Sequence, residues 1–299
     1  MKKNKTIGLI IISLIYIFTI SLGVLIYFLL PSSMKTQPLI PLLIIDVICT
    51  VIIYIFSRIF NNSSIYDPYW SVAPIILYVA FILITGYNNY ITDIFLVLIA
   101  FWSVRLTLNW ALGFKNLGTQ DWRYQGFQEK HPKTYFLIDL FGIHLFPTII
   151  VFIGMMPGFF FIEKACTTQL NLTVLLGALV MLFAIIIEMI SDIQMYNFRK
   201  NNKVKGAIMN KGLWKISRHP NYFGEILFWI SIWLLYFGSE PNFGIGFITA
   251  FCPIAVFVMF VFVSIPMLEK RQLKNKPGYK EYMENTNMLL IYPLLKNKK

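Results

Sequence analysis

Ile7-Gly-Leu-Ile-Ile-Ile-Ser-Leu-Ile-Tyr-Ile-Phe-Thr-Ile-Ser-Leu-Gly-Val-Leu-Ile-Tyr-Phe-Leu-Leu30 runs for 24 residues without an Asp, Glu, Lys, Arg or His. An α-helix needs roughly 20 apolar residues to cross the hydrocarbon layer, so this stretch is long enough to span it. Lys2, Lys3 and Lys5 precede it as they would a signal peptide. The stretch is too long for a signal core, however, and lacks a small-residue cleavage pattern, so it reads as a retained first helix. Similar stretches recur at about 38–60, 69–86, 91–113, 135–160, 170–198, 221–238 and 243–268. No alternating pattern accompanies them, and backbone groups in lipid must be satisfied within each segment, which favours helices over a barrel. The expected fold is all-α: a polytopic membrane helical bundle of about eight transmembrane helices.

Composition agrees. Hydrophobic residues make up 57% of the chain, aromatic residues 17% and charged residues 13%, whereas charged residues alone approach a quarter of an ordinary soluble domain. Eight spans would put both termini and every second loop on one side, and that side holds 23 of the 26 Lys and Arg. Lys35 and Lys164 fall on the other side, and Arg105 lies within the fourth span. The positive-inside rule then sets both termini in the cytoplasm, in what reads as a bacterial plasma membrane. A net charge of +12 could also suit a nucleic-acid binder, but these charges flank spans and form no separate basic domain, so no nucleic-acid partner is expected. No protein partner is evident either; the partners expected are the bilayer and a lipophilic small molecule. Cys49, Cys166 and Cys252 have neither disulfide nor metal-ligand spacing, and no metal is expected.

An ionisable group at membrane depth costs several kcal/mol unless paired or hydrated, so each marks a candidate site. Asp46, Asp139 and His144 have no polar neighbours at helical spacing and read as helix-to-helix neutralisation. Others form stripes. Glu188, Asp192, Tyr196 and Arg199 share one helical face, Asn221, Glu225 and Trp229 share another, and Trp102, Arg105 and Asn109 share a third. All three sit toward the cytoplasmic ends of their spans and suggest a polar cavity. The loop 198–220 adds Lys200, Lys203, Lys205, Arg218 and His219, a density of donors suited to phosphates. Gly244 and Gly246 make an isolated Gly-x-Gly without the strand a dinucleotide fold requires.

Gly212-Leu-Trp-Lys-Ile-Ser-Arg-His-Pro-Asn-Tyr-Phe-Gly-Glu225 is the most specific string in the chain. It resembles the C-terminal half of the steroid 5-alpha-reductase family and, more closely, bacterial membrane proteins grouped with it. Tyr66-Asp67-Pro68-Tyr69-Trp70-Ser71, Arg105, Asp121-Trp122-Arg123-Tyr124, Ser191-Asp192 with Arg199, and Leu268-Glu269 with Pro277-Gly278-Tyr279 extend the likeness from about residue 60. The chain then divides into N-terminal helices over 1–60 and a reductase-like membrane domain over 61–299, span one being an addition to a seven-helix core.

The resemblance implies NADPH-dependent reduction of a carbon-carbon double bond conjugated to a carbonyl, in a steroid, bile-acid-like or other lipid substrate. Position by position it assigns Asp192, Arg199, Asn221 and Glu225 to the cofactor. Lys205, Arg218, Tyr222, Arg105 and Arg123 are further cofactor candidates. Asp67 matches the acid that polarises the carbonyl and would have to stay protonated to do so. Trp102 stands where the family has its catalytic tyrosine, so Tyr66, with Tyr69 behind it, is the candidate hydroxyl. The alternative is a membrane S-adenosylmethionine methyltransferase of the isoprenylcysteine or phospholipid type, which also carries an Arg-His-Pro-x-Tyr segment. Such enzymes usually show paired glutamates in the tail, where this chain has Glu269-Lys270.

Overall fold

The computed structural model describes residues 4–167, 170–202 and 204–289. Lys2, Lys3, Lys203 and the lysines beyond residue 289, counted in the charge distribution above, lie outside the described residues. Among those described there are no strands, and eight helical segments are long and apolar enough to cross a membrane. The chain forms an all-α polytopic membrane fold in two compact units, residues 1–153 and 154–299.

In the first unit α1 (Lys5–Leu29) is followed by α2 (Leu39–Phe60), α3 (Tyr69–Thr85), α4 (Tyr90–Gly113) and the short polar α5 (Trp122–Lys130). Their ends follow local chemistry. Asn4 caps α1 by accepting from the Ile7 amide, and Asn89 and Thr92 form a reciprocal capping box on α4. Asn61, with φ 53°, closes α2 in the left-handed conformation that Asn tolerates. The helices α1 and α2 are tied into this unit. Lys5 Nζ donates to Leu112 O at 3.0 Å, and Tyr16 Oη donates to Ile65 O at 2.8 Å.

The fifth segment, Tyr135–Ala165, begins with a π-helical stretch, Ile138–Leu145, and continues as α6 (Phe146–Ala165), which passes from one unit into the other. Around the π-stretch the buried His144 is held on several sides. Its Nε2 lies 3.1 Å from Ser57 Oγ, and its Nδ1 lies 2.9 Å from Asp139 O and 3.2 Å from Asp139 Oδ1. Arg58 Nη1 stands 3.7 Å from Asp139 Oδ2. The expectation that Asp139 and His144 serve helix packing fits this arrangement.

The second unit is organised by α7 (Leu172–Asn201) and α8 (Pro220–Ser239), packed antiparallel. Glycines let the two backbones close up. A Cβ on Gly224 would lie 2.9 Å from Ala184 O and 2.8 Å from Glu188 Cβ, and one on Gly177 would lie 3.0 Å from the Leu235 amide nitrogen. Small residues at such contacts let membrane helices gain dispersion energy where apolar burial offers little. After α8 the eighth segment, Phe243–Asn275, includes α9 (Phe251–Met259) and α10 (Ile265–Asn275), separated by a second π-stretch; α11 (Tyr279–Asn285) follows.

Candidate functional site

In residues 1–153 the site is built by stitching two loops together. Asn62 caps the one-turn helix Ser63–Ile65 and donates through Nδ2 to Leu117 O at 2.9 Å. The Ser63 amide donates to Gln120 Oε1 at 2.8 Å, and the Asp121 amide donates to Ser64 Oγ at 2.8 Å. These bonds bring α5 against Asp67, whose carboxylate accepts from Tyr124 Oη at 2.6 Å. Arg123 Nη2 lies 4.0 Å from the same oxygen, its Nε donates to Asp121 Oδ1 at 2.8 Å, and its guanidinium sits over the Tyr124 ring. Burial, and then the Asp67 charge, push the Tyr124 hydroxyl well above the ordinary phenol range. The group is thus an acid paired with a phenol that keeps its proton, and the Asp67 side chain is 19% exposed.

Of the two residues expected to act as catalytic groups, Asp67 belongs to this cluster and Tyr66 does not. Tyr66 Oη hydrogen-bonds Thr148 Oγ1 at 2.8 Å, and its ring lies against His144 at 4.7 Å. Tyr69 Oη is likewise engaged, donating to Asp46 Oδ1 at 2.7 Å. Tyr124 is the hydroxyl that meets the acid. Its signal lay in Asp121-Trp122-Arg123-Tyr124, which was read for its arginine alone. Arg105 and Trp102 are buried on α4.

In residues 154–299 the stripe on α7 grades from the buried Glu188, through Asp192, to the exposed Tyr196 and Arg199. On α8, Asn221 and Tyr222 are partly buried and Glu225 is buried, its Oε1 accepting from Trp229 Nε1 at 2.9 Å. The loop between the helices folds back on α7. Gly212, with φ 59°, sits where any Cβ would meet the Gln194 amide, the Leu213 amide donates to Gln194 Oε1 at 3.0 Å, and Trp214 Nε1 donates to Ser191 O at 3.0 Å.

Arg218 occupies a different position from that of an open phosphate donor. Its Nε donates to Glu269 Oε1 at 2.7 Å, and its Nη1 reaches Met283 O at 2.9 Å and Thr286 O at 2.6 Å. His219 Nε2 also meets Glu269 Oε1, at 3.0 Å, while its ring stacks on Tyr222. Tyr282 Oη closes the same strap by donating to Trp214 O. Arg218 therefore fastens the segment after α10 to the start of α8.

Cations gather instead around Arg199. Arg271 and Lys276 lie within its electrostatic reach, as do Asp192 and Tyr222. Burial, and then Arg199, hold the Lys276 ammonium below its ordinary value. Gly206, beside the exposed Lys205, packs on this segment: a Cβ there would lie 3.3 Å from Pro277 Cδ. With Asp192 the acid in reach, the group carries more positive than negative charge, which favours an anion beside it. Arg271 and Lys276 were missed because in sequence they look like the ordinary positive charges that follow a last span.

No solved structure matches the chain significantly. An uncharacterized protein of Schizosaccharomyces pombe is 25% identical over 275 residues, covering 84% of this chain and 78% of its own length. A family model described as protein of unknown function (DUF1295) matches residues 53–286, which include every candidate site residue above, and the chain belongs to that family.

Proposed function

We propose that this protein is a membrane-embedded NADPH-dependent reductase of a carbon-carbon double bond conjugated to a carbonyl in a lipophilic substrate, with both termini in the cytoplasm. The observation that carries the reading is the cation group of Arg199, Arg271 and Lys276 beside the carboxylate and amide stripe of Asp192, Asn221 and Glu225. This donor set fits a phosphorylated dinucleotide. Cations neutralise pyrophosphate and a 2′-phosphate, while carboxylate and amide groups take ribose hydroxyls and the nicotinamide amide. The likeness of the Gly212–Glu225 string to steroid reductases supports the same assignment.

Arg199, Lys205, Arg271 and Lys276 would hold the phosphates, and Asp192, Asn221, Tyr222 and Glu225 the nucleoside ends. Arg218 contributes by fastening both Glu269 of α10 and the segment after α10 to the start of α8. When bound, the nucleotide would supply a hydride to the β-carbon of the enone, and the α-carbon would take a proton from water to complete the reduction. Negative charge then develops on the carbonyl oxygen, and a preorganised donor there lowers the barrier. In residues 1–153 that donor would be the Asp67 carboxyl carrying its own proton, held in place by Tyr124 Oη, which donates to its Oδ1 at 2.6 Å, and by Arg123 beside it.

The deciding measurement is thermal stabilisation of the detergent-solubilised full chain by NADPH, NADH and S-adenosylmethionine. NADPH should raise the melting temperature most and S-adenosylmethionine should leave it unchanged. Stabilisation by the methyl donor alone would overturn the reductase in favour of the methyltransferase.

A further inference from the structure

A cavity of about 430 Å³ lies within the first unit, between α1, α2 and α3. Voids in close-packed interiors seldom exceed a water molecule, whereas this volume lies in the range of small-molecule sites. Its walls are almost wholly aliphatic and aromatic. The lining runs from Tyr16 to Phe28 on α1, about 18 Å at the helical rise, so the space is long and narrow. Val24, Phe28 and Leu83 line it and are also 54%, 71% and 79% exposed on the apolar outer surface. The cavity therefore opens sideways, toward the hydrocarbon layer.

One feature is out of place in such a space. Asp46 lines it at 3% exposure, with Tyr69 Oη as its hydrogen-bond donor. Among the described residues no cation lies within ion-pair distance of it. A carboxyl group offers about four acceptor positions, and Tyr69 fills one. The neighbouring Tyr16 hydroxyl is committed to Ile65 O at 2.8 Å. What remains is acceptor capacity at one place in an otherwise apolar channel, and a buried polar group without its full set of partners is costly.

We propose that this cavity binds an elongated lipid alcohol, its hydrocarbon body filling the channel and its hydroxyl donating to Asp46. A hydroxyl fits because it can both donate to and accept from a carboxyl group, whereas a hydrocarbon brings no polar partner. The site lies outside the residues assigned above to nucleotide or enone, and the inference does not depend on that reading.

The test uses the full chain in lipid nanodiscs with two photoreactive probes of equal length, a diazirine-bearing hexadecanol and the matching diazirine-bearing hexadecane. The alcohol should label peptides within residues 16–28, 42–53 and 69–84, and the alkane should label them at least about tenfold less, the worth of one hydrogen bond to a carboxyl. Asp46→Leu should reduce labelling by the alcohol to the level of the alkane, whereas Asp46→Asn, which keeps an acceptor, should retain it. Ala80→Phe, which fills the channel from α3 without touching Asp46, should abolish labelling while elution volume and helical circular dichroism stay unchanged, and it decides the matter if Asp46→Leu fails to fold. Equal labelling by the two probes would mean that a bilayer acyl chain occupies a lateral gap and would overturn the proposal. So would unchanged labelling in Ala80→Phe, or labelling confined to other segments.

Discussion

The two units treat buried polarity in opposite ways. Around His144 in the first, the polar atoms answer one another: imidazole to Ser57 and Asp139, Tyr66 to Thr148, and Thr148 to Thr50 at 2.9 Å. Around Arg199 in the second, Arg271 and Lys276 lie within electrostatic reach beside the acid Asp192, and burial, then Arg199, hold Lys276 below its ordinary value. A network of neutral and opposite partners holds helices in register. A knot of cations leaves an electrostatic cost that an incoming anion removes. Polarity at membrane depth thus divides into joints and sites, and the sign of the neighbours separates them.

The sharpest way to break that distinction is to remove the centre of the joint. His144→Ala takes a hydrogen-bond partner from Ser57 and Asp139 in a buried place, leaving Arg58 as the remaining partner of the acid, and losing a buried hydrogen-bond partner costs about 1–3 kcal/mol. Thermal unfolding in detergent should show this as a large fall in melting temperature, while NADPH affinity of the folded fraction stays the same. Lost nucleotide binding with unchanged stability would make His144 part of a site. Asp67→Ala should do the reverse. Losing a preorganised donor costs roughly 3–4 kcal/mol of barrier, or about 100- to 1,000-fold in turnover of a 3-oxo-4-ene steroid, with NADPH binding intact. Asp67→Asn should lose less, and Tyr124→Phe, which removes the hydroxyl that holds the acid, should fall between the wild type and the alanine variant. Wild-type rates in all three would place the acid elsewhere.

Much of this architecture was legible because membrane helices follow two simple rules, length and apolarity. The stretches 38–60 and 91–113 fall within a residue of Leu39–Phe60 and Tyr90–Gly113. The ends at 160 and 268 were too early, since helices continue to Ala165 and Asn275. Glu163 and Lys270 signal departure from lipid, which was mistaken for the end of a helix. The α7 stripe was readable because its residues share one helix. The Asp67–Tyr124 pair was not, because 57 residues separate its members and loop bonds from Asn62, Ser63 and Ser64 join them. Arg271 and Lys276 were hidden by a sound rule, since positive charges after a span ordinarily report topology.

A smaller effect sharpens the cation side of the comparison. Arg199→Ala should weaken NADPH binding by about 10- to 100-fold, the worth of one charge-assisted contact to phosphate. Because the 2′-phosphate distinguishes the two nucleotides, the wild type should prefer NADPH to NADH, and the variant should narrow that preference. Removing Arg199 also relieves Lys276, whose charged form is then easier to hold, so Lys276→Ala in the Arg199→Ala background should cost more than Lys276→Ala alone if both meet the same phosphate. Strict additivity, measured by calorimetric titration of all three variants, would separate their roles.

The smallest effect concerns the strap after α10, where the charged group is a potential one. Burial pushes the Tyr279 hydroxyl up to about 12 from an ordinary value of 10.0, and the side chain is 5% exposed. The sign follows from linkage: a phenol whose folded value lies above its unfolded one binds its proton more tightly in the native state, so its contribution is complete below pH 10 and declines as pH rises toward 12. By pH 11 the loss amounts to about 1 kcal/mol. Melting temperature in detergent should therefore fall between pH 10 and 11.5, and Tyr279→Phe, which has no proton to lose, should flatten part of that fall while lowering stability little at pH 8. Lys276 sets a control, because burial and then Arg199 hold it below its ordinary value, so it loses its proton earlier than a free lysine and weakens anion binding as pH rises. Nucleotide affinity and melting temperature should consequently decline together in the wild type, whereas in Tyr279→Phe affinity should still decline while the melting temperature holds longer. An identical alkaline melting curve for Tyr279→Phe and wild type would show that the strap unfolds without exposing this phenol, and that Arg218 and Glu269 alone set its stability.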